Sequence, residues 1–68
     1  MFVRTDQGEW NNLSRASAIK VEPARNGIGH VVVAYYSGVA PVIRRFDTEI
    51  DAREWVADML EAFQGTAR

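Results

Sequence analysis

FDTEIDAREWVADMLEAF, residues 46–63, is the stretch that decides the fold, because it carries the clearest helical pattern in the chain. Its apolar residues recur at intervals of three and four, which places them along one helix face: Ala52, Trp55, Val56, Met59, Leu60 and Phe63. Such a stripe packs either against the protein's own sheet or against a partner. We favour the first interpretation, because the strands upstream supply a sheet that needs a cover.

Both ends of this helix carry recognisable signals. Asp47 or Thr48 can accept hydrogen bonds from the first free backbone N–H groups, and Thr48 resembles the start of a capping box. Gly65 is of the residue type that commonly ends helices. The sequence therefore predicts a helix over about 48–64 and a tail over 65–68.

Ile50 departs from the apolar stripe. At about 100° per residue, it lies roughly 150° from the centre of the stripe. A single exposed hydrophobic residue is common on protein surfaces. The alternative is a small contact with a second subunit.

Upstream segments have the composition and periodicity of strands, and turn signals separate them: 2–5, 9–11, 17–22, 30–36 and 41–46. HVVVAYY, residues 30–36, is apolar on both faces, which is typical of a central strand covered on both sides. Asn26 and Gly27 favour a hairpin turn before it. Pro41 fits an outer strand, since it cannot donate to a ladder.

The sequence thus predicts one α+β domain: a four-stranded antiparallel meander, its first two strands short, with one C-terminal helix packed on one face. The residues predicted for its core are Phe2 or Val3, Ile19, Val21, Val31, Val33, Tyr35, Ile43, Phe46, Trp55, Val56, Met59, Leu60 and Phe63. Ile43 and Phe46 can both point inward only if the last strand contains a bulge or ends early.

Composition limits the classes of function. The chain has 68 residues, no cysteine and one histidine, so we expect no disulfide and no cysteine or histidine metal cluster. A net charge of −1, with acids and bases interspersed, gives no strong field for DNA or an anionic membrane. No apolar run is long enough for a transmembrane helix or for the core of a signal peptide. A cytoplasmic protein is therefore the expectation.

Three local patterns resemble chemistry and are better explained as structure. His30 opens a strand without a nucleophile motif near it. Asp47, Glu49 and Asp51 alternate like the start of a calcium loop but lack its glycine and its late glutamate, and they suit a helix N-terminus. The pair of glycines at 27–29 precedes a strand and not a helix, which excludes a dinucleotide fingerprint. We predict no catalytic, cofactor or metal site, and no enzyme.

Most basic residues lie in the sheet-forming half of the chain, whereas the helix is acidic. Arginines beside aromatic rings are the usual surface for single-stranded nucleic acid. The candidate contacts for that function are Trp10, Arg15, Lys20, Arg44 and Arg45. An ordinary solvated face has a similar composition, and we treat nucleic-acid binding as the alternative function.

FVRTDQGEWNNLSRASAIKVEP (2–23) and RRFDTEIDAREWVADML (44–60) resemble segments of small uncharacterised bacterial and phage proteins. Those proteins run strand, glycine turn, aromatic–x–Asn-Leu, strand, hairpin and strand, then F-D-[ST] and a C-terminal helix. The resemblance covers most of the chain and implies a fold but no activity. This chain differs at Asn11, where an aliphatic residue is usual, and at Ile50, where an acid is common. In element order alone it is also similar to the single-strand-binding coactivator fold, in which the helix after a curved sheet dimerises.

A small chain without disulfide or metal has a marginal core, and association is one way to extend it. After one sheet face is filled, apolar residues remain for a second cover, and we predict that they contact a second copy: Val32, Ala34, Tyr36 and Ile50. Closure of the sheet into a small barrel is the monomeric alternative. The predicted function is a non-catalytic protein-interaction module that acts as a homodimer, with a protein partner that the sequence does not identify.

Overall fold

The computed structural model of the protein describes residues 1–66, with the side chains of residues 1–63. Along the chain, its elements are β1 (Phe2–Arg4), β2 (Trp10–Asn12), a 3-10 turn (Leu13–Arg15), β3 (Ala18–Pro23), β4 (His30–Tyr35), β5 (Val42–Phe46) and α1 (Glu49–Thr66). The strands begin and end within one residue of the predicted segments. Residues 67 and 68, the end of the predicted tail, lie outside the described residues.

The strands form two antiparallel sheets, β1–β2 and β3–β4–β5, and α1 packs on the second of them. The α+β class is confirmed, but the prediction of one four-stranded meander is wrong. β1 and β2 are each three residues long and pair with each other. The 3-10 turn then redirects the chain, and Asn12 caps it by accepting from the N–H of Ser14 at 3.1 Å. The first hairpin is therefore a separate unit beside the main sheet.

Strand β4 is apolar on both faces, and α1 covers one of them, which we call the helix face. On this face Val21 pairs with Val32, and Ile19 pairs with Ala34. Val32 and Ala34 are fully buried there, at 0% exposed. The helix face of β4 is therefore the centre of the core.

The opposite face, called the outer face, carries Val31, Val33 and Tyr35, which pack with Ala24. The sequence predicted the reverse, with these three residues of β4 under the helix, and that assignment is wrong. The alternation of apolar residues does not decide between two registers of β3 against β4 that differ by one residue. A shift of one residue moves every side chain of a strand to the opposite face of the sheet. The connecting loop decides it, since the N–H of Ala24 donates to the carbonyl of Gly29 at 3.0 Å.

Strand β5 contains the bulge that Ile43 and Phe46 need in order to point inward together. The register shifts between Val32 and Val33 of β4, which leaves Ile43 as an extra residue in β5. Ile43 is 1% exposed in the core, and Phe46 packs against the same cluster. The conditional prediction of a bulge is thus confirmed.

The turn of the first hairpin binds the free side of β5 beside this bulge. The N–H of Asp6 donates to the carbonyl of Ile43 at 3.2 Å, and its carboxylate accepts from the N–H of Arg45 at 2.8 Å. The Arg44 guanidinium lies 3.9 Å from the other carboxylate oxygen and donates to the carbonyl of Arg4 at 3.3 Å. These contacts attach the hairpin to the main sheet and cover that edge.

Helix α1 begins as predicted and ends later. Thr48 Oγ1 accepts from the N–H of Asp51 at 3.1 Å, which confirms Thr48 as the capping residue. The helix runs to Thr66 and includes Gly65, so the predicted stop at Gly65 is wrong. A glycine inside a helix costs only about 1 kcal/mol relative to alanine, and it does not force an end.

The apolar stripe of α1 divides between core and surface. Ala52 and Met59 are buried against the sheet, whereas Leu60 and Phe63 are 38% and 39% exposed. Part of the stripe therefore closes the core, and the exposed parts of Leu60 and Phe63 form an apolar margin along one side of the helix. Within residues 1–66, no helix is long and apolar enough to cross a membrane.

Trp55 joins α1 to β5. Its ring centroid lies 5.9 Å from that of Phe46, and the guanidinium carbon of Arg44 lies 5.2 Å from the same ring. Arg44 reaches this position on the helix face because the bulge precedes it in β5. A cation above an indole ring adds a modest attraction to the contact.

The bulge predicts a difference between two neighbouring residues of β5. We expect Ile43→Ala to lower the free energy of unfolding by about 2–5 kcal/mol, because it leaves a cavity in the core. Val42→Ala should change it by less than about 0.5 kcal/mol, since Val42 is 49% exposed. Urea denaturation followed by far-UV circular dichroism measures both values. Equal losses in the two variants would show that β5 does not contain this bulge.

Candidate interaction surfaces

The outer face of the main sheet carries opposite charges on the two sides of its apolar centre. Val31 pairs with Glu22 of β3 and with Arg45 of β5. Tyr35 lies along this face: its hydroxyl donates to Glu22, and the ammonium of Lys20 lies 5.4 Å from its ring centroid. The ring therefore joins two oppositely charged side chains of β3.

The hydroxyls of both tyrosines are held in the neutral form. The hydrogen bond to Glu22 raises the pKa of Tyr35 above its ordinary value of 10.0, and desolvation and the charge of Glu22 act in the same direction. Burial raises the pKa of Tyr36, whose hydroxyl donates to the carbonyl of Asn12 at 3.2 Å. Each phenol is thus a hydrogen-bond donor at neutral pH.

A cleft of about 540 Å³ lies on the outer face. Buried Val31 and Val33 line it together with exposed Arg25 and Arg45. Within residues 1–63, neither arginine is in an ion pair. Glu22 lines the same cleft and accepts from Tyr35, so the cleft carries charges of both signs, and the two guanidinium groups are those that a negatively charged group could contact.

Strand β3 is an open edge of the main sheet. The N–H of Ala24 donates to the loop that leads into β4. Because hydrogen-bonded pairs alternate along an antiparallel ladder, the backbone groups of Ile19, Val21 and Pro23 point away from β4. Pro23, which has no N–H, occupies a position where the ladder needs none. Within the described residues, no hydrogen bond links the N–H of Ile19 or Val21 to another element.

A groove between β3 and α1 runs along this open edge. It consists of two adjoining depressions, of about 490 and 60 Å³, which share Ile19 and Leu60. Lys20 lines the groove from the outer face and Arg53 from the helix. We call it the β3–α1 groove, and its other apolar lining residues are Met1, Leu13, Val21, Val56, Ala57, Met59 and Phe63. Because residues of both sheet faces line it, the groove opens at the edge of the sheet.

The first hairpin has an apolar surface of its own. Phe2 and Trp10 are 66% and 65% exposed. Phe2 pairs with Asn12, and Arg4 pairs with Trp10. Positions two residues apart share one face of a strand, so the two aromatic rings and Arg4 lie on the same side of the hairpin.

The residues predicted to contact a second copy do not lie together on an open face. Val32 and Ala34 are fully buried under α1, so their placement on an open face was wrong. Tyr36 is half-buried and belongs to the same core cluster. Ile50 is 69% exposed and remains available to a partner. The error follows from the reversed assignment of the faces of β4.

The residues predicted to contact nucleic acid are dispersed over several surfaces. Lys20 and Arg45 share the outer face of the main sheet. Arg44 lies on the helix face and is engaged with the hairpin turn. Trp10 lies on the first hairpin, and Arg15 is exposed on the 3-10 turn. The structure therefore does not bring the five residues into one site.

The residues examined for catalysis and metal binding occupy structural positions. His30 begins β4 opposite Phe46, and its Nδ1 is buried without a hydrogen-bond partner within the described residues. Exposed Glu49 and Asp51 lie in the first turn of α1, where Glu49 binds Arg53 at 3.2 Å. Among the described residues, no group of three or more His, Cys, Asp or Glu is placed to hold a metal ion.

Sequence reasoning missed the open edge of β3 and the exposure of Leu60 and Phe63. Pro23 carried a signal for the edge, since proline in a strand is confined to edges, strand starts and bulges. The exposure of Leu60 and Phe63 had no such signal. A helical pattern shows which residues share a face, but not how much of that face the sheet covers.

No protein-family model matches this chain, and no curated protein or solved structure is significantly similar to it.

The contact between Tyr35 and Glu22 can be tested by ultraviolet titration of the two tyrosines. We expect Glu22→Ala to lower the pKa of Tyr35 toward 10.0 and to leave that of Tyr36 raised. Because the folded-state pKa is raised, the neutral phenol contributes stability that is present below the unfolded-state pKa and is lost as pH rises through the folded-state pKa.

Two variants make the titration specific. Tyr36→Phe leaves Tyr35 as the phenol that titrates. Ser17→Ala is the matched control, since Ser17 Oγ donates to the carbonyl of Tyr35 at 3.0 Å and does not contact its phenol. An unchanged titration in Glu22→Ala would show that the hydrogen bond is absent.

Proposed function

We propose that the protein is a small non-catalytic protein-interaction module that acts as a homodimer, and that it associates through the β3–α1 groove and the open edge of β3. One observation carries this proposal: apolar side chains of α1 stay exposed beside a strand whose backbone groups are also open. Leu60 and Phe63 are 38% and 39% exposed, and Ile19, Val21 and Val56 are half-buried. The cytoplasmic location stays a prediction from composition.

A second copy is the partner that suits this surface. An isologous dimer needs one patch that is complementary to itself, and the groove and the edge supply apolar and hydrogen-bonding groups in one place. An open edge beside exposed apolar residues is an aggregation hazard for a monomer, and a dimer would cover both.

Association also extends a small core. Full burial of a Leu or Phe side chain is worth roughly 1.5–3 kcal/mol, so covering the exposed parts of Leu60 and Phe63 on two copies favours the dimer by a few kcal/mol. Arg53 adds no unpaired charge to the groove, because Glu49 binds it at 3.2 Å. The groove can therefore be buried without leaving a charged group unsatisfied on the helix.

Two substitutions on α1 locate the interface. We expect the wild-type protein to sediment as a dimer at high micromolar concentration. Leu60→Glu should raise the dimer Kd at least about a hundredfold, because two carboxylates would be buried without partners. Ile50→Glu is the matched control and should leave the Kd unchanged, since Ile50 is 69% exposed and does not line the groove. Sedimentation equilibrium measures the Kd, and circular dichroism confirms that both variants fold.

A wild-type protein that stays monomeric over this concentration range would end the homodimer proposal. Dissociation by Ile50→Glu, with Leu60→Glu still dimeric, would move the interface to the other side of α1. That side is where the sequence predicted a contact.

Binding of single-stranded nucleic acid is the second candidate, and the outer-face cleft favours it. Lys20 lies over the ring of Tyr35, Arg25 and Arg45 line the cleft with it, and the Glu22 carboxylate, which also lines the cleft, accepts from the Tyr35 hydroxyl. Phosphates bind such cations, and bases stack on aromatic rings. Of the residues predicted for this function, Lys20 and Arg45 lie at the cleft or beside it, which supports the candidate, and we propose Arg25 and Tyr35 as further contacts.

Fluorescence anisotropy with a labelled oligothymidylate at low salt tests the second candidate. If the cleft binds single strands, affinity should fall steeply with salt and be lost in the double variant Arg25→Glu, Arg45→Glu. Arg15→Glu, on the 3-10 turn, is the control and should bind like wild type apart from a small effect of net charge. Binding weaker than about 100 μM, the nonspecific range, would remove this candidate.

A further inference from the structure

We infer, on the basis of the homodimer proposed above, that two copies pair antiparallel through β3 about a two-fold axis at Val21. Their main sheets, with three strands in each copy, then form one continuous sheet. The direction of the backbone groups of β3 and the order of the charges along it both select this register.

The backbone of β3 presents the right groups at alternate positions. Ile19 and Val21 direct their N–H and C=O groups to the open edge, and Pro23 directs its C=O there, because the neighbouring residues bond to β4. With the axis at Val21, the two Val21 residues form a reciprocal hydrogen-bonded pair, and the N–H of Ile19 donates to the carbonyl of the partner's Pro23. Proline has no N–H to return, so the carbonyl of Ile19 is left to water.

The charges of β3 match in the same register. Lys20 faces the partner's Glu22, and Glu22 faces the partner's Lys20. These are non-hydrogen-bonded pairs, in which facing side chains approach most closely, and opposite charges there stabilise the pairing. Glu22 can accept this contact, because Tyr35 binds its Oε2 and leaves Oε1 available.

The neighbouring registers place like charges together. An axis at Lys20 would set two ammonium groups directly opposite each other, and an axis at Glu22 would set two carboxylates opposite. Like charges in facing positions destabilise a strand pair. An axis at Ile19 would pair only the first part of the strand, with Lys20 opposite the partner's Ala18 and with Glu22 beyond the paired residues.

This arrangement also closes the β3–α1 groove. A two-fold axis perpendicular to the sheet keeps both helices on the same side of it. Val56 and Leu60, which line the groove beside Val21, would then face the same residues of the second copy across the axis. The apolar margin of each helix thus covers the new strand junction on the helix face.

Single cysteine substitutions can test this register by disulfide cross-linking, since the chain has no cysteine of its own. We expect Val21→Cys to give a disulfide-linked dimer under mild oxidation, because the Cα atoms of a hydrogen-bonded pair lie about 5.5 Å apart. Lys20→Cys and Glu22→Cys should not, since their Cα atoms would lie roughly 8 Å from their own copies, beyond disulfide reach. Non-reducing electrophoresis measures the cross-link, and circular dichroism of the reduced proteins confirms folding.

The outcomes distinguish a wrong register from a wrong homodimer proposal. Efficient cross-linking of Lys20→Cys or Glu22→Cys in place of Val21→Cys would overturn the Val21 register in favour of a neighbouring one. A dimer by sedimentation with no cross-link in any variant would overturn pairing through β3 and leave the homodimer standing. A monomeric wild-type protein would overturn the homodimer itself.

Exchanging the charges gives an independent readout. In a Tyr35→Phe background, which removes the phenol that binds Glu22 within a copy, Lys20→Glu or Glu22→Lys should each raise the dimer Kd about tenfold. The double variant restores opposite charges across the axis and should recover most of the lost affinity. A double variant as weak as the single ones would overturn the register.

Discussion

Asp6 binds β5 through both its backbone N–H and its carboxylate, and the position of the first hairpin follows from these bonds. The bulge at Ile43 provides the site. Because one residue is inserted there, Ile43 enters the core and Arg44 also turns toward the helix face. Arg44 then contacts both the hairpin and Trp55. The inserted residue thus adds a contact in which hairpin, sheet and helix meet at one place.

The two faces of β4 are covered by different means. The helix covers Val32 and Ala34, as one helix on one sheet face should. On the other face, Val31 and Val33 are only 7% and 6% exposed without a second layer. Ala24 and the ring of Tyr35 pack against them, and Tyr35 is held by Glu22. An apolar face therefore does not require a partner when a long neighbouring side chain packs against it, and among the described strands of the main sheet it is the edge of β3 that stays open.

Much of the fold follows from local signals. The stripe of α1, the cap at Thr48 and the strand segments each depend on residues close in sequence, and the structure contains all of them. The condition that Ile43 and Phe46 need a bulge in order to point inward together also followed from the alternation of side chains along a strand. Contacts between residues distant in sequence could not be predicted from such signals. Residues 31–34 are all small and apolar, so nothing in β4 itself marks which face meets the helix.

The candidate site was predictable only in part. Lys20 and Arg45 were recognised as surface bases, but their position on one face depends on the pairing of three strands. The separation of β1–β2 from the main sheet was equally hidden, because Asp6 finds its partners in β5, far along the chain. Pattern and propensity describe neighbours in sequence, and these contacts join residues that are distant in it.

Asp6 also limits how many copies can join. A sheet with two open edges can add strands at both and grow into a filament. Here the hairpin turn occupies the middle of β5, and among the described strands of the main sheet β3 remains open. Among the described strands, the main sheet of each copy then has one edge for strand addition, and the proposed symmetric pair would use both. The carboxylate that anchors the hairpin therefore acts as a terminator, which keeps any assembly through this sheet closed at two.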